Sequence, residues 1–122
     1  MNMELNDDLK EKAIALSDAI MGTTEYADFL QKEEVLKEDS ETQQLLMEFQ
    51  QKQQDFISKQ LSGEVDQDLL NQLTDLQSRL KARESLSNFL ESYTRLLDML
   101  GEITDIISQR INVDIAEVYR QR

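Results

Sequence analysis

The sequence contains no cysteine and no histidine. Without cysteine the chain forms no disulfide, offers no thiolate nucleophile and cannot hold an iron–sulfur cluster through thiolate ligands. Without histidine it lacks the commonest metal ligand and the commonest general base, which excludes a Ser-His-Asp triad and a di-iron site of the usual Glu-x-x-His type. We therefore expect no enzyme and no cofactor, and we predict no catalytic or metal-binding residue.

Proline is also absent, and there are only three glycines, Gly22, Gly63 and Gly101. These two residue types are the main local breakers of regular structure, so their scarcity favours long helices. Short β-branched runs bounded by turn residues, which indicate strands, are nearly missing. The predicted fold class is all-α: an antiparallel helical hairpin or bundle with a long C-terminal helix that oligomerises through helix packing.

Acidic residues outnumber basic ones by 25 to 13, which gives a net charge of −12. Such a chain is repelled by the phosphates of nucleic acids and by anionic membrane surfaces. No apolar stretch approaches the roughly 20 residues that span a bilayer, and the acidic first ten residues do not have the pattern of a signal peptide. We expect a cytoplasmic protein that binds neither nucleic acid directly nor membranes.

Apolar residues spaced three and four apart predict a single helical domain over residues 1–122. Only about four residues separate the third and fourth helices, so these two are predicted to form an antiparallel hairpin. The predicted helices cover about 7–21, 24–37, 41–61, 66–81 and 84–111, followed by a short helix or a frayed tail over 112–122.

Capping residues mark several of the helix ends. Gly63 is suited to end the third helix in the left-handed conformation. Residues 81–85 are ambiguous, since the helix either continues or breaks and is capped again by Ser85. Helix starts are indicated by Asn6 or Asp7, by Thr23 or Thr24, by a capping box of Ser40 with Gln43, by Asp66, and by Asp114 with Glu117.

The clearest periodicity lies in the last long helix. Its apolar residues alternate at spacings of three and four over three heptads, and they are predicted to form the core or a self-association seam: Leu86, Phe89, Tyr93, Leu96, Leu100, Ile103 and Ile107. A helix over 84–111 extends about 42 Å, which overhangs a domain of this size with a radius of gyration of roughly 14 Å. We therefore expect a homo-oligomer, either a dimer or a tetramer.

Two features inside these patterns allow more than one interpretation. Gly101 lies within the seam, where it is either a tolerated glycine or a point at which a neighbouring helix approaches closely. Glu64, Asp66 and Asp68 superficially resemble calcium ligands, but the sixth and twelfth positions of an EF-hand loop would then be Leu69 and Asp75 instead of glycine and glutamate. Helix capping explains these acidic residues better.

The chain resembles the YlbF/YmcA family of small bacterial helical regulators over most of its length. No single segment is specific, and it is their order and spacing that carry the resemblance. The segments are 13–20 (AIALSDAI), 24–29 (TEYADF), 39–50 (DSETQQLLMEFQ), 60–64 (QLSGE), and the closing helix with Ile103, Ile106, Ile107 and Ile111.

The resemblance implies helical subunits that associate with themselves or with relatives. It also implies roles in competence, sporulation and biofilm formation through a complex that guides messenger RNA processing by endoribonuclease Y, so RNA-decay proteins are possible partners. Some members of that complex hold iron–sulfur clusters through cysteines, an activity that does not carry over to this chain.

The leading hypothesis is a non-enzymatic regulatory or adaptor protein that acts through protein–protein contacts. The alternative is a structural or chaperone-like helical hairpin that holds clients between coiled-coil arms, similar in logic to prefoldin. Direct RNA binding is a third class, and the net charge of the chain opposes it. Solution mass and shape discriminate the first two, because an adaptor forms a compact dimer or tetramer and a chaperone forms an extended, multi-armed particle.

Overall fold

The chain is helical throughout the part that its computed structural model describes, residues 5–120. That part contains no strand, which confirms the all-α fold class. Oligomerisation through helix packing stays a prediction. The helices are α1 (Asp7–Met21), α2 (Thr24–Glu38), α3 (Ser40–Leu61), α4 (Gln67–Lys81), α5 (Glu84–Ile111) and α6 (Ile115–Arg120).

Two units make up the described chain. The hairpin unit is Gln31–Glu91, which contains the end of α2, all of α3 and α4, and the start of α5. The terminal unit comprises the chain up to Leu30 and from Ser92 onward, so it contains α1, the start of α2, most of α5, and α6. The prediction of one domain over the whole chain stays a prediction.

The hairpin unit is built on the pairing of α3 with α4. The register is antiparallel: the Lys59 ammonium donates to Asp66 at 2.6 Å near the turn, and the Lys52 ammonium donates to Gln72 at 2.8 Å further along. Each buried leucine contributes roughly 1.5–3 kcal/mol through removal of its surface from water. The buried stripe of α4 recurs at spacings of three and four and consists of Leu69, Leu73, Leu76 and Leu80.

Four of the predicted helix starts have the expected caps, including that of α6, where Asp114 accepts from the Glu117 backbone N–H at 3.1 Å. The side chain of Asn6 accepts a hydrogen bond from the Leu9 backbone N–H at 2.7 Å, and that of Asp66 accepts from the Leu69 N–H at 3.0 Å. Thr23 caps α2 in the same way, accepting from the N–H three residues further on at 3.2 Å. Each cap satisfies one of the backbone donors that the first helical turn leaves unpaired.

The predicted capping box of Ser40 with Gln43 is wrong. Asp39 is the N-cap of α3, and its carboxylate accepts from the Thr42 backbone N–H at 3.3 Å. The side-chain amide of Gln43 instead donates to the carbonyl of Leu36 at 2.9 Å, at the end of α2. The Asp39 carboxylate caps α3 in place of Ser40. The Gln43 side chain therefore bonds to α2 and joins it to α3.

The end of α3 has the predicted left-handed glycine. Gly63 has φ +86°, and its N–H donates to the carbonyl of Gln60 at 3.0 Å. The N–H of Glu64 donates to the carbonyl of Lys59 at 3.0 Å, which completes a Schellman motif. This motif turns the chain sharply and allows α4 to return along α3.

The terminal unit buries much less apolar surface than the hairpin unit. None of the residues of α1, all of which lie in the described part, is buried. On α5 the buried residues of this unit are Ser92 and Leu96. The rings of Phe29 and Tyr93 lie 5.8 Å apart at a tilt of 40°, so an aromatic contact joins α2 and α5 here.

Replacing two glycines by alanine is expected to change stability in opposite directions. Gly63→Ala places a Cβ on a left-handed residue and is expected to lower the free energy of unfolding by about 1–2 kcal/mol. A Cβ at Gly101 meets no atom within 4 Å, so Gly101→Ala is expected to raise it by about 1 kcal/mol through helix propensity. Urea unfolding measures both changes. If Gly101→Ala instead lowers the free energy of unfolding, the expectation is wrong and another helix packs against Gly101.

Candidate protein interaction surface

The predicted seam of α5 divides into buried and accessible residues. In the terminal unit Leu96 is buried with 8% of its surface exposed, while Ile107 at the same face keeps 39% exposed. In the hairpin unit Leu86 and Phe89 are half-buried. Tyr93 is exposed, and Leu100 and Ile103 are half-buried. Part of the seam therefore packs within the chain, and the role of the rest in self-association stays a prediction.

Further aliphatic side chains of the terminal unit are exposed beyond that seam. Leu97, Ile106 and Ile111 on α5 are exposed. On α1, Leu9 and Leu16 are exposed as well. Large contiguous patches of exposed apolar side chains are rare on monomeric proteins, and they often mark interaction sites. This unit is therefore the leading candidate for a protein contact surface.

A polar cluster in the hairpin unit joins the start of α3 to the connection between α4 and α5. The Arg83 guanidinium donates from Nε to the Thr42 hydroxyl at 2.8 Å and from one Nη to both oxygens of Asp39 at 3.1 and 3.2 Å. Both hydroxyls, of Thr42 and Ser85, donate to the same Asp39 oxygen at 2.6 Å. The other Nη of Arg83 lies 3.2 Å from Glu41.

These donors fix the charge of Asp39. The hydroxyls of Ser85 and Thr42, with the Arg83 guanidinium, hold the pKa of the Asp39 carboxyl well below its usual range. A carboxylate that stays ionised in this way does not supply or take up a proton near neutral pH, so it is unsuited to general acid–base chemistry. The cluster is a structural crosslink between α3 and the α4–α5 connection.

Sequence reasoning missed this cluster. Local sequence signals predicted no role for Arg83, and they predicted Ser40 instead of Asp39 as the cap of α3. Thr42 has 0% of its surface exposed, although nothing in its local sequence indicates a buried position. None of these residue types is unusual at its position in the sequence. Arg83 reaches Asp39 only because α4 runs back antiparallel to α3.

A second charged pair lies near the α3–α4 turn. The Lys59 ammonium holds the pKa of the Asp66 carboxyl below its ordinary value through the hydrogen bond between them. That bond and the charge of Asp66 raise the pKa of Lys59, with smaller contributions from the nearby Glu64 and Asp55. Lys59 is thus surrounded by several acidic side chains.

A groove of the hairpin unit lies beside Arg83 and has a volume of about 490 Å³. It is open to solvent along its length and combines two arginines with two glutamates, a lining that suits a protein side chain better than an enclosed small-molecule site. Its walls are Glu41, Gln44, Leu45, Glu48, Arg79, Ala82 and Arg83.

Across residues 5–120, no three acidic side chains come together in a way that could hold a metal ion. Among the helices described, none combines the length and the apolar character needed to cross a membrane.

The sequence family described as control of competence regulator ComK, YlbF/YmcA, matches residues 9–112. The chain belongs to this family. The UPF0342 protein of Caldicellulosiruptor saccharolyticus is 26% identical to this chain over 102 residues, which are 83% of this chain and 85% of that protein. No solved structure matches the chain at a significant level. The resemblance predicted from the segments between residues 13 and 111 is confirmed.

The polar cluster predicts strong coupling between Thr42 and Arg83 in this YlbF/YmcA protein. Thr42→Val removes a buried hydroxyl that serves two partners, so it is expected to lower the free energy of unfolding by about 1–3 kcal/mol. In an Arg83→Met background Thr42→Val is expected to lower the free energy of unfolding by less, because one hydrogen-bond partner of the hydroxyl has already been removed. A double-mutant cycle by urea unfolding measures the coupling. A shared network would be contradicted if Thr42→Val lowered the free energy of unfolding by the same amount in the unmodified chain and in the Arg83→Met variant.

The low pKa of Asp39 predicts a dependence of stability on acid pH. Because the folded pKa lies below the ordinary value of 3.8, the carboxylate contributes stability that is present above about pH 5 and is lost as the pH falls toward the folded pKa. Asp39→Asn keeps a capping side chain but removes the titrating group. It is therefore expected to weaken the decline of the melting temperature between pH 5 and about pH 2.

The control for this measurement is Asp98→Asn, which removes an exposed carboxylate of α5. Melting curves recorded by circular dichroism at closely spaced pH values compare the two variants with the unmodified chain. If Asp39→Asn and Asp98→Asn give the same pH profile, the cluster does not hold the charge of Asp39.

Proposed function

We propose that this protein is a non-enzymatic regulatory adaptor that acts through protein–protein contacts. Membership of the family of competence regulators supports a regulatory role. The processes proposed for it are the control of competence, sporulation and biofilm formation, through a complex that directs messenger RNA processing by endoribonuclease Y. Its partners would be further copies of itself, relatives, and proteins of RNA decay.

The observation that carries the proposal is the exposed aliphatic surface of the terminal unit. Ile106 and Ile111 on α5 are exposed by 61% and 56%, and α1 has no buried residue among those described. Water contact with so many aliphatic side chains is unfavourable, at about 25 cal/mol per Å² of apolar surface. Association of two protein surfaces removes that contact, which favours a protein whose work is done at interfaces.

The chemistry of the polar side chains supports the same proposal. The carboxylate with the most strongly shifted pKa, Asp39, is shifted toward the ionised form and is held by three side chains in a crosslink. Catalytic carboxylates that act as acids are instead shifted toward the protonated form by apolar surroundings. The net charge of −12 opposes direct contact with RNA, so a role in RNA processing would run through a protein partner.

Replacing an exposed seam residue is expected to separate association from folding. Ile107→Gln places an amide in the exposed part of the α5 seam, and it is expected to weaken self-association at least about tenfold by removing an aliphatic contact. The control Met47→Gln changes an exposed apolar residue of α3 in the hairpin unit. Light scattering coupled to size-exclusion chromatography measures the mass of both variants, and helicity measures their folding.

The same two variants test the adaptor role in cells. Tagged full-length chains are purified from the native bacterium, and co-purifying proteins are identified by mass spectrometry. We expect the Met47→Gln variant to co-purify with RNA-decay proteins or relatives. We expect the Ile107→Gln variant not to do so. Recovery of many unrelated unfolded clients would favour the chaperone-like hairpin, and stoichiometric RNA at physiological salt would contradict the proposal.

A further inference from the structure

A short groove lies between the end of α4 and the start of α5, within the hairpin unit. It has a volume of about 320 Å³, and three of its six lining residues are leucines. Leu80 is buried, Leu86 is half-buried and Leu90 is 50% exposed, so aliphatic surface reaches the solvent here. We call this site the α4–α5 groove. Its lining residues are Gln77, Leu80, Lys81, Leu86, Ser87 and Leu90.

The charge of the α4–α5 groove comes from Lys81, because the other lining residues are uncharged. Lys81 is exposed, and among residues 5–120 it makes no ion pair. Other basic side chains of the hairpin unit are already paired with acidic ones, as those of Lys37, Lys59, Arg79 and Arg83 are. The ammonium group of Lys81 can therefore bind an anionic group of a partner.

The acidic residues of the two helices lie outside this lining. Asp68 and Asp75 of α4 line grooves on the side of that helix that faces α3. Glu84 and Glu91 of α5 are exposed, and neither lines the α4–α5 groove. Salt screens exposed charges over about 8 Å at physiological ionic strength. The charge within the groove therefore selects its occupant more than the net charge of the whole chain does.

We infer that the α4–α5 groove docks a short acidic amphipathic segment of a partner protein. Aliphatic side chains of the segment contact Leu86 and Leu90, and an aspartate or glutamate pairs with Lys81. A basic segment would be repelled by Lys81, and an uncharged one would leave the ammonium group without a partner. Gln77 and Ser87 add side chains that can form hydrogen bonds.

The size of the groove limits what it can hold. Its 320 Å³ lies at the lower end of the roughly 300–1,000 Å³ that binding pockets have, which suits a few side chains of a short segment. The inference rests on the adaptor function proposed above. It adds a partner site in the hairpin unit to the exposed aliphatic surface of the terminal unit.

The probe is a labelled synthetic helical peptide of leucine, alanine and glutamate, and fluorescence anisotropy measures its binding to the full chain. The peptide is expected to bind, and Leu90→Gln is expected to weaken binding at least about tenfold by removing an aliphatic contact. The matched variant Met47→Gln changes an exposed apolar residue of α3 in the same unit, and it is expected to bind as the unmodified chain does. Absence of binding, or equal binding by the two variants, would overturn the inference.

Reversal of one charge tests the role of Lys81. Lys81→Glu is expected to weaken binding of the glutamate peptide at least about fivefold, because an attraction becomes a repulsion. Lys37→Glu makes the same change in net charge at an exposed position of α2 and is expected to have little effect. A second peptide, with lysine in place of glutamate, is expected to bind Lys81→Glu more tightly than Lys37→Glu. Equal effects of the two variants would show that net charge alone controls binding, and would overturn the inference.

The mass of the assembly distinguishes this inference from the proposed function. Leu90→Gln and Lys81→Glu are expected to leave self-association and helicity unchanged, because the exposed aliphatic residues of the terminal unit are intact in both. A fall in mass would show that a second copy covers the groove, and would overturn the assignment of an acidic partner. Loss of peptide binding at unchanged mass supports it. The proposed function fails separately, if the unmodified chain recovers no partner from cells while it still binds the peptide.

Discussion

Burial of the α4 leucine stripe against α3 is the interaction on which the described structure most depends. It supplies four of the six aliphatic side chains that are buried among the described residues, and it brings Arg83 back to the start of α3. The polar cluster around Asp39 then fixes the connection between α4 and α5. The terminal unit has no comparable stripe, since Leu96 is its buried aliphatic residue among those described. We propose that association with a further apolar surface stabilises this unit.

Local signals along the sequence were enough to identify several elements of the fold. Asn6 and Asp66 cap helices because a side-chain oxygen at these positions reaches a backbone N–H three residues on. Gly63 ends α3 because it can adopt positive φ without a steric penalty. These features depend on a few neighbouring residues, so a single sequence reveals them. The same holds for the scarcity of glycine and proline that predicted an all-α chain.

Signals that depend on distant residues were not readable in the same way. The capping box at Ser40 failed because Asp39 is fixed by Arg83, which lies 44 positions away and reaches it only after α4 returns. The seam of α5 shows a related limit. Leu96 and Ile107 share one periodic stripe, yet the first is buried within the chain and the second is exposed. Periodicity identifies an apolar face but does not identify what packs against it.

We propose that the terminal unit is completed by association with another copy of the chain. Sedimentation equilibrium of the unmodified protein over the micromolar range tests this claim most directly. A dimer or tetramer of the 14.2 kDa chain, with a melting temperature that rises with protein concentration, is the predicted result. A 14.2 kDa monomer that unfolds cooperatively at a temperature independent of concentration would contradict it.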